Sequence, residues 1–195
     1  MTSEVGICNL ALSHIGQGAI SSLEENSVEA ELCRLTYPVS RDAVLRENAW
    51  NFAARRVALG RLAENPPVGW QYMYSYPSDC LFARALVCAD GSETVPFQVA
   101  LGPSGTSRVV LGDEVQAWLD YTARVSDTSV FDPLFVHALS YHLAAELVQS
   151  LTGEAQKQQN MLKLYEASLA AALTSDGNEG RVTANFSNAF LGARH

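Results

Sequence analysis

Lysine is almost missing from this chain. Only Lys157 and Lys163 stand beside 11 arginines, against 21 acidic residues, and the formal net charge is −8. A protein that grips a nucleic-acid backbone normally carries a basic face, yet the densest basic run here is the pair Arg55-Arg56. Tight, sequence-specific DNA binding is disfavoured. Cysteine is equally sparse: Cys8, Cys33, Cys80 and Cys88 form no C-x-x-C pair. A chain of this size needs no disulfide staples, so they read as buried thiols of a reducing cytoplasm. Long apolar runs are absent, so no membrane-spanning helix is expected. The opening Met-Thr-Ser-Glu lacks a basic stretch followed by an apolar one, and no secretory leader is expected either.

The motifs of common catalytic chemistry are missing too. There is no H-E-x-x-H, no G-x-S-x-G and no P-loop. The Gly/Ser-rich stretch Gly102-Pro-Ser-Gly-Thr-Ser has neither the lysine nor the following helix of a phosphate-binding loop, and reads as a hairpin tip. His137 and His142 are five apart on a helix, roughly 140° around it, and so do not share a metal-binding face. They read as core or interface histidines. Glu146 lies on the same crowded helix, and pairing with an arginine such as Arg41 or Arg46 is a more economical account of it than catalysis. No cofactor is implied.

What is present is a core. Hydrophobic residues make up 48% of 195 positions, enough for one domain or one domain carrying a smaller module. The strongest signal runs from Asp132 to Gly153. Asp132 suits an N-cap, Pro133 suits the first helical position, and Gly153 suits the left-handed residue past the end. Leu134, Ala138, Tyr141, Ala145 and Val148 line one face, with Phe135, Leu139, Leu143 and Leu147 close beside them. A helix apolar over so much of its circumference is enclosed by other elements.

Around it the spacing predicts a helix over Ser3–Ile15 and a second opened by a capping box of Asn26 and Glu29. Pro38 is expected to kink or end the second helix, which continues to Asn48. Trp50 and Phe52 are expected to plug the end of the bundle. A last helix is predicted from Glu154 to Leu173. Between residues 66 and 126 the period changes to two, most clearly in Val115–Val125, where every odd position is apolar. Turn signals at Asp90-Gly91 and Gly112-Asp113 help divide this stretch into about four strands. The expected fold is therefore mainly α: a bundle of about four helices (residues 1–65 and 127–175), an inserted antiparallel β module (66–126) and an extended C-terminal tail (176–195).

The tail has balanced charge, Arg181 and Arg194 against Asp176 and Glu179. Phe186 and Phe190 are four apart with Leu191 adjacent, so a helical turn places both rings on one side. That is a form common to partner-binding peptides. The alternative is a frayed terminus whose aromatics fold back on the protein's own surface.

Taken in order, several segments resemble one known family. They are Asn9-Leu-Ala-Leu-Ser-His-Ile-Gly16, Ile20-Ser-Ser-Leu-Glu24, Ala30 to Tyr37, Arg41-Asp-Ala-Val-Leu-Arg46, Trp50-Asn-Phe-Ala53, Trp70-Gln-Tyr-Met-Tyr74 with Tyr76-Pro-Ser-Asp79, and Asp132 to Leu139. Residues 5–173 are similar in this way to the head-to-tail adaptors of tailed phages, also called tail tubular protein A, gatekeeper or tail accessory factor. The resemblance implies a non-enzymatic structural protein of the virion, made in the host cytoplasm and placed at the head–tail junction. It implies a dodecameric ring beneath the portal protein that extends the DNA channel for ejection and docks a tail or nozzle protein. Passing DNA would not be bound specifically, and an acidic, lysine-poor wall suits that role. The tail residues Arg181, Phe186, Phe190, Leu191 and Arg194 are then the expected portal contacts. Two other classes compete: a small cytoplasmic enzyme, which needs a polar constellation in a cleft, and an oligomeric regulatory binding protein, which the charge disfavours.

Overall fold

Three side-chain caps decide where the helices of this chain begin. Ser3 Oγ accepts the Gly6 N–H at 3.0 Å and opens α1 (Glu4–His14), while Ser27 Oγ accepts the Ala30 N–H at 3.3 Å and opens α2 (Val28–Glu47). The cap of α2 is thus one residue later than the expected Asn26. Asp132 accepts the N–H groups of Leu134 and Phe135 at 2.7 and 3.2 Å and opens α3 (Pro133–Leu151). Gly153, at φ 67°, lets the chain turn out of α3 while its N–H caps the Val148 carbonyl. Helix α4 (Ala155–Glu179) then runs back along α3. The computed structural model describes residues 3–89, 91 and 93–179.

Helix α3 is enclosed as its pattern predicts. Phe135, Ala138, Leu139, Leu143 and Val148 are fully buried, and α1, α2 and α4 all pack against it. Two residues of the predicted face depart from this: Leu134 is exposed at the first turn and Tyr141 is partly buried. Trp50, with no exposed surface, and half-buried Phe52 do close the end of the helical layer, against Phe131 and Phe135. Pro38 neither ends nor divides α2, which is continuous from Val28 to Glu47.

Seven strands form two antiparallel sheets. One has the order β1 (Ala54–Ala58), β7 (Ala117–Ala123), β3 (Cys80–Cys88), β4 (Thr94–Val95); the other is β2 (Tyr72–Ser75), β6 (Arg108–Gly112), β5 (Gln98–Leu101). The sheets pack face to face over a second core of Tyr74, Leu86, Val110, Leu119 and Tyr121. At Gly112 the sheets leave no room for a side chain: a Cβ there would lie 2.7 Å from the Leu86 side chain. The other face of the three-stranded sheet is covered by Leu62 and Trp70, packed on Met73, Val109 and Leu111. A 3₁₀ turn, Thr128–Val130, leads from the sheets to α3.

The expectation of a mainly α fold is therefore wrong. The described residues are 45% helical and 21% strand, in sheets of four and three strands, which makes the fold mixed. About four strands were expected, and the described residues contain seven. Three local reasons account for the shortfall. Strand β1 lies at a sheet edge with four of its five residues exposed, and β6 buries Val109 to Gly112 on both faces, so neither shows the one-sided alternation that marks a strand; the expected run Val95–Leu101 is also divided, into β4 and β5.

Helix and sheet layers are tied by specific bonds. Arg46 donates to the Leu81 carbonyl at 2.6 Å, Thr122 Oγ1 to the Asn48 carbonyl at 3.1 Å, and the Ala123 N–H to the Ala53 carbonyl at 2.8 Å. Arg124 reaches across to Asp42 at 2.7 Å.

Candidate functional site

The C-terminal end of α4 is where the structure fixes the base of the segment singled out by the sequence. Two polar clamps hold it. Asp176, almost fully buried, accepts the Asn51 N–H at 3.0 Å, and Asn51 Nδ2 donates back to the Asp176 carbonyl at 2.6 Å. Three turns earlier, Tyr165 Oη donates to Glu47 at 2.7 Å and its ring meets His142 edge-on. Burial and that carboxylate push the Tyr165 hydroxyl well above its ordinary pKa, so it remains a donor at all physiological pH values. One clamp lands on the last residue of α2 and the other on the connection from α2 to β1. Helix α4 therefore reaches the junction of the helical layer with the sheets at Asp176. Arg181, Phe186, Phe190, Leu191 and Arg194 lie outside the described residues. The polar run Asp176-Gly-Asn-Glu, expected to begin the tail, is instead the last turn of α4.

Other sequence candidates resolve differently. Glu146 is exposed, a correction to the expected burial, and neither Arg41 nor Arg46 pairs with it. Arg41 pairs with its neighbour Asp42 at 2.8 Å. Residue 146 falls on the same exposed side of α3 as Gln149 and Ser150.

His137 is exposed, whereas His142 is half-buried, with Nδ1 lacking a partner among the described residues. Cys8, Cys33 and Cys80 are buried and Cys88 is partly so; none is in a disulfide. Arg55 and Arg56 do not form a basic patch, because they pair with Asp79 at 3.1 Å and with Asp120 at 2.5 Å.

One serine–histidine contact invites a catalytic reading, and its geometry argues against it. His14 Nε2 lies 3.1 Å from Ser140 Oγ, but that hydroxyl donates its proton to the His137 carbonyl at 2.8 Å. The histidine is thus the donor in the pair and cannot be the base that activates the serine. Ser140 has no exposed surface, so a substrate has no approach to it. His14 stacks on Tyr141 with centroids 4.3 Å apart, and burial, with His137 nearby, lowers its pKa. The group ties α1 to α3.

Among the described residues no His, Cys, Asp and Glu side chains cluster so as to hold a metal ion. The surface depressions beside Arg34, Arg56, Arg61 and Trp118 contain neither histidine nor cysteine.

A feature that sequence reasoning missed is a group of guanidiniums set on aromatic rings. Arg46 from α2 and Arg84 from β3 lie 4.7 and 4.4 Å from the centroid of the Phe82 ring, and Arg108 from β6 lies 4.2 Å from that of Tyr76. Each also donates to a backbone carbonyl: Arg46 to Leu81, Arg84 to Arg46, Arg108 to Cys80. Burial, and the nearness of Arg46, lower the pKa of Arg84. None of the three makes an ion pair among the described residues. Phe82 and Arg84, two apart on a strand, were a readable same-face pair. Arg46 and Arg108 join them only through the fold.

No protein-family model matches the chain, and no curated protein matches it.

Proposed function

We propose that this chain is a structural head-to-tail connector of a tailed phage. In this reading copies form a ring beneath the portal protein, expected to be a 12-mer, which extends the DNA channel and docks a tail or nozzle protein. The ordered likeness of residues 5–173 to the adaptor family motivates it. The structural observation that carries it is the double clamp at Asn51–Asp176 and Glu47–Tyr165. A partner-binding terminal segment works best from a rigid base, because less freedom is then lost on docking. Here the base sits at the helix–sheet junction, and Arg181, Phe186, Phe190, Leu191 and Arg194 supply the contacts to the portal. The net charge of −8 supports a conduit that repels DNA rather than holding it.

The test is co-sedimentation with portal rings. The full chain is expected to travel with the portal, and a chain ending at Gly180 to lose attachment while keeping its melting temperature. Retention of the truncated chain at full stoichiometry would move the contact to the folded body. Failure of the full chain to bind portal would overturn the connector reading itself. Portal and capsid genes beside the gene for this chain are the expected genomic setting.

A further inference from the structure

We propose that the outer face of α2 is a self-association surface, on which two copies of this chain pack antiparallel about a two-fold axis near Leu35. Helix α2 buries Ala30, Cys33, Tyr37 and Val44 against the helical layer. On its opposite side Val28, Leu35 and Val39 are 63, 56 and 68% exposed, with half-buried Leu32 between them. Steps of four, three and four residues align these side chains in one stripe along the helix, the spacing of a helix–helix seam.

The two ends of the stripe carry opposite charge. At the head, Glu24, Glu25 and Glu31 are exposed around a single arginine, Arg34. At the foot, Arg46 falls on the line of the stripe, with Arg84 beside it. Stacking on Phe82 and donation to the Leu81 and Arg46 carbonyls hold the two guanidiniums in place, so little side-chain freedom is lost when a carboxylate arrives. Neither has an acidic partner within its own chain among the described residues.

Leu35 lies within the stripe, between the acidic turn that precedes α2 and the guanidinium of Arg46. Rotation about an axis at Leu35 therefore sets each acidic head against the other copy's guanidiniums and lays stripe on stripe. A translated copy would satisfy one head and one foot but leave both apolar stripes in water. The same features disfavour a nucleic acid as the occupant. The Phe82 ring already carries two guanidiniums and offers bases no stacking platform, and the acidic head repels phosphate. A helix face about 30 Å long is smaller than a standard interface, so association is expected at micromolar concentration. This inference does not rest on the connector reading. A two-fold pair is a closed assembly, whereas a ring needs a heterologous contact.

The test uses the full chain. Only a residue near a two-fold axis meets its own copy, so Leu35→Cys is expected to give a disulfide-linked dimer under mild oxidation, where wild type, with its native cysteines, gives none. Val39→Glu, at an exposed position that leaves the fold intact, should stay monomeric by light scattering at concentrations where wild type is dimeric. About 1 M salt, which shortens the Debye length to roughly 3 Å, should weaken the wild-type pair.

Wild type remaining monomeric at about 100 µM, far above a micromolar midpoint, would overturn the proposal. So would higher oligomers in which Leu35→Cys fails to cross-link, dimerisation only after removal of residues 180–195, or binding of single-stranded DNA that Val39→Glu abolishes. Loss of portal binding with an intact dimer would refute the connector reading alone.

Discussion

Phe135 should be among the costliest residues in the protein to truncate. Its ring has no exposed surface and meets three others nearly edge-on: Trp50 at 5.1 Å and 77°, Phe52 at 5.0 Å and 69°, Phe131 at 5.0 Å and 70°. Removing a buried phenylalanine ring costs about 3–5 kcal/mol when the surroundings cannot collapse. Collapse is hindered here because the three neighbours come from two different connections, one leaving α2 and one entering α3. Each edge-on pair adds about 0.5–1.5 kcal/mol beyond buried area. Phe135→Ala is thus expected near 4–5 kcal/mol. Phe135→Leu keeps most of the volume and loses the ring edges, about 1.5–3 kcal/mol from three pairs toward the low end of that range.

Urea unfolding followed by far-UV circular dichroism and by tryptophan emission, with Trp50 as the buried reporter, measures both. With a slope of about 2.5 kcal/mol per molar urea, the alanine midpoint should fall by roughly 1.5–2 M. A loss below about 1 kcal/mol for alanine, the range of surface substitutions, would refute the claim that this cluster closes the helical layer.

Three further outcomes are expected. Gly112→Ala should cost about 1–3 kcal/mol by thermal melting, since its Cβ would press within 2.7 Å of fully buried Leu86 between the sheets; an unchanged melting temperature would show that the sheets can separate freely. Stability should fall as pH drops below about 6.5, the ordinary histidine value, because burial lowers the pKa of His14, next to His137, and of His142, against the opposing pull of Glu146 and Glu47. The unfolded chain then takes up protons first, so the contribution is whole above that pH and is lost through the window down to the folded pKa values. Melting curves from pH 8 to 5 should show it, with a flatter profile in a His14→Gln/His142→Gln variant, and a wild-type profile flat above pH 5.5 would contradict it. Duplex DNA should not be retained in a gel shift at about 50 mM salt, where phosphate contacts are strongest; micromolar binding there would end the conduit reading and favour a regulator.

The elements that the sequence made plain are those whose signals are local. Asp132, Pro133 and Gly153 bracket α3 by their own side-chain and backbone chemistry, and the buried odd positions Ala117 to Val125 mark β7 by period alone. Trp118, the apolar residue on the other face of that strand, is 38% exposed, as strict alternation requires. What was hidden depends on partners distant in sequence. Strand β1 is a strand because Ala54 to Ala58 pair with Thr122 to Trp118, and nothing in Ala-Arg-Arg-Val-Ala announces that. Asn26 and Ser27 are both good caps; which of them caps α2 depended on the backbone path of the preceding turn. Glu146 was expected to be buried because α3 as a whole is so apolar, yet its neighbours one turn away include His142, Gln149 and Ser150, and Gln149 and Ser150 are exposed with it.

The end of α4 shows how such distant partners bear on function. Helix propensity opposes the extension past Ser175, since Gly177 inside a helix costs about 1 kcal/mol relative to alanine. The helix continues because Asp176 gains the Asn51 backbone N–H and returns its own carbonyl to the Asn51 amide. A charge-assisted hydrogen bond of this kind contributes about 1.5–3 kcal/mol, enough to offset the glycine. Propensity alone would end the helix before residue 176; the tertiary bond carries it on to Glu179 and brings Asp176 to the connection that leads into β1. Fully extended, the sixteen remaining residues reach at most about 55 Å from that point. Any partner of Phe186, Phe190 and Leu191 must therefore lie within reach of the helix–sheet junction.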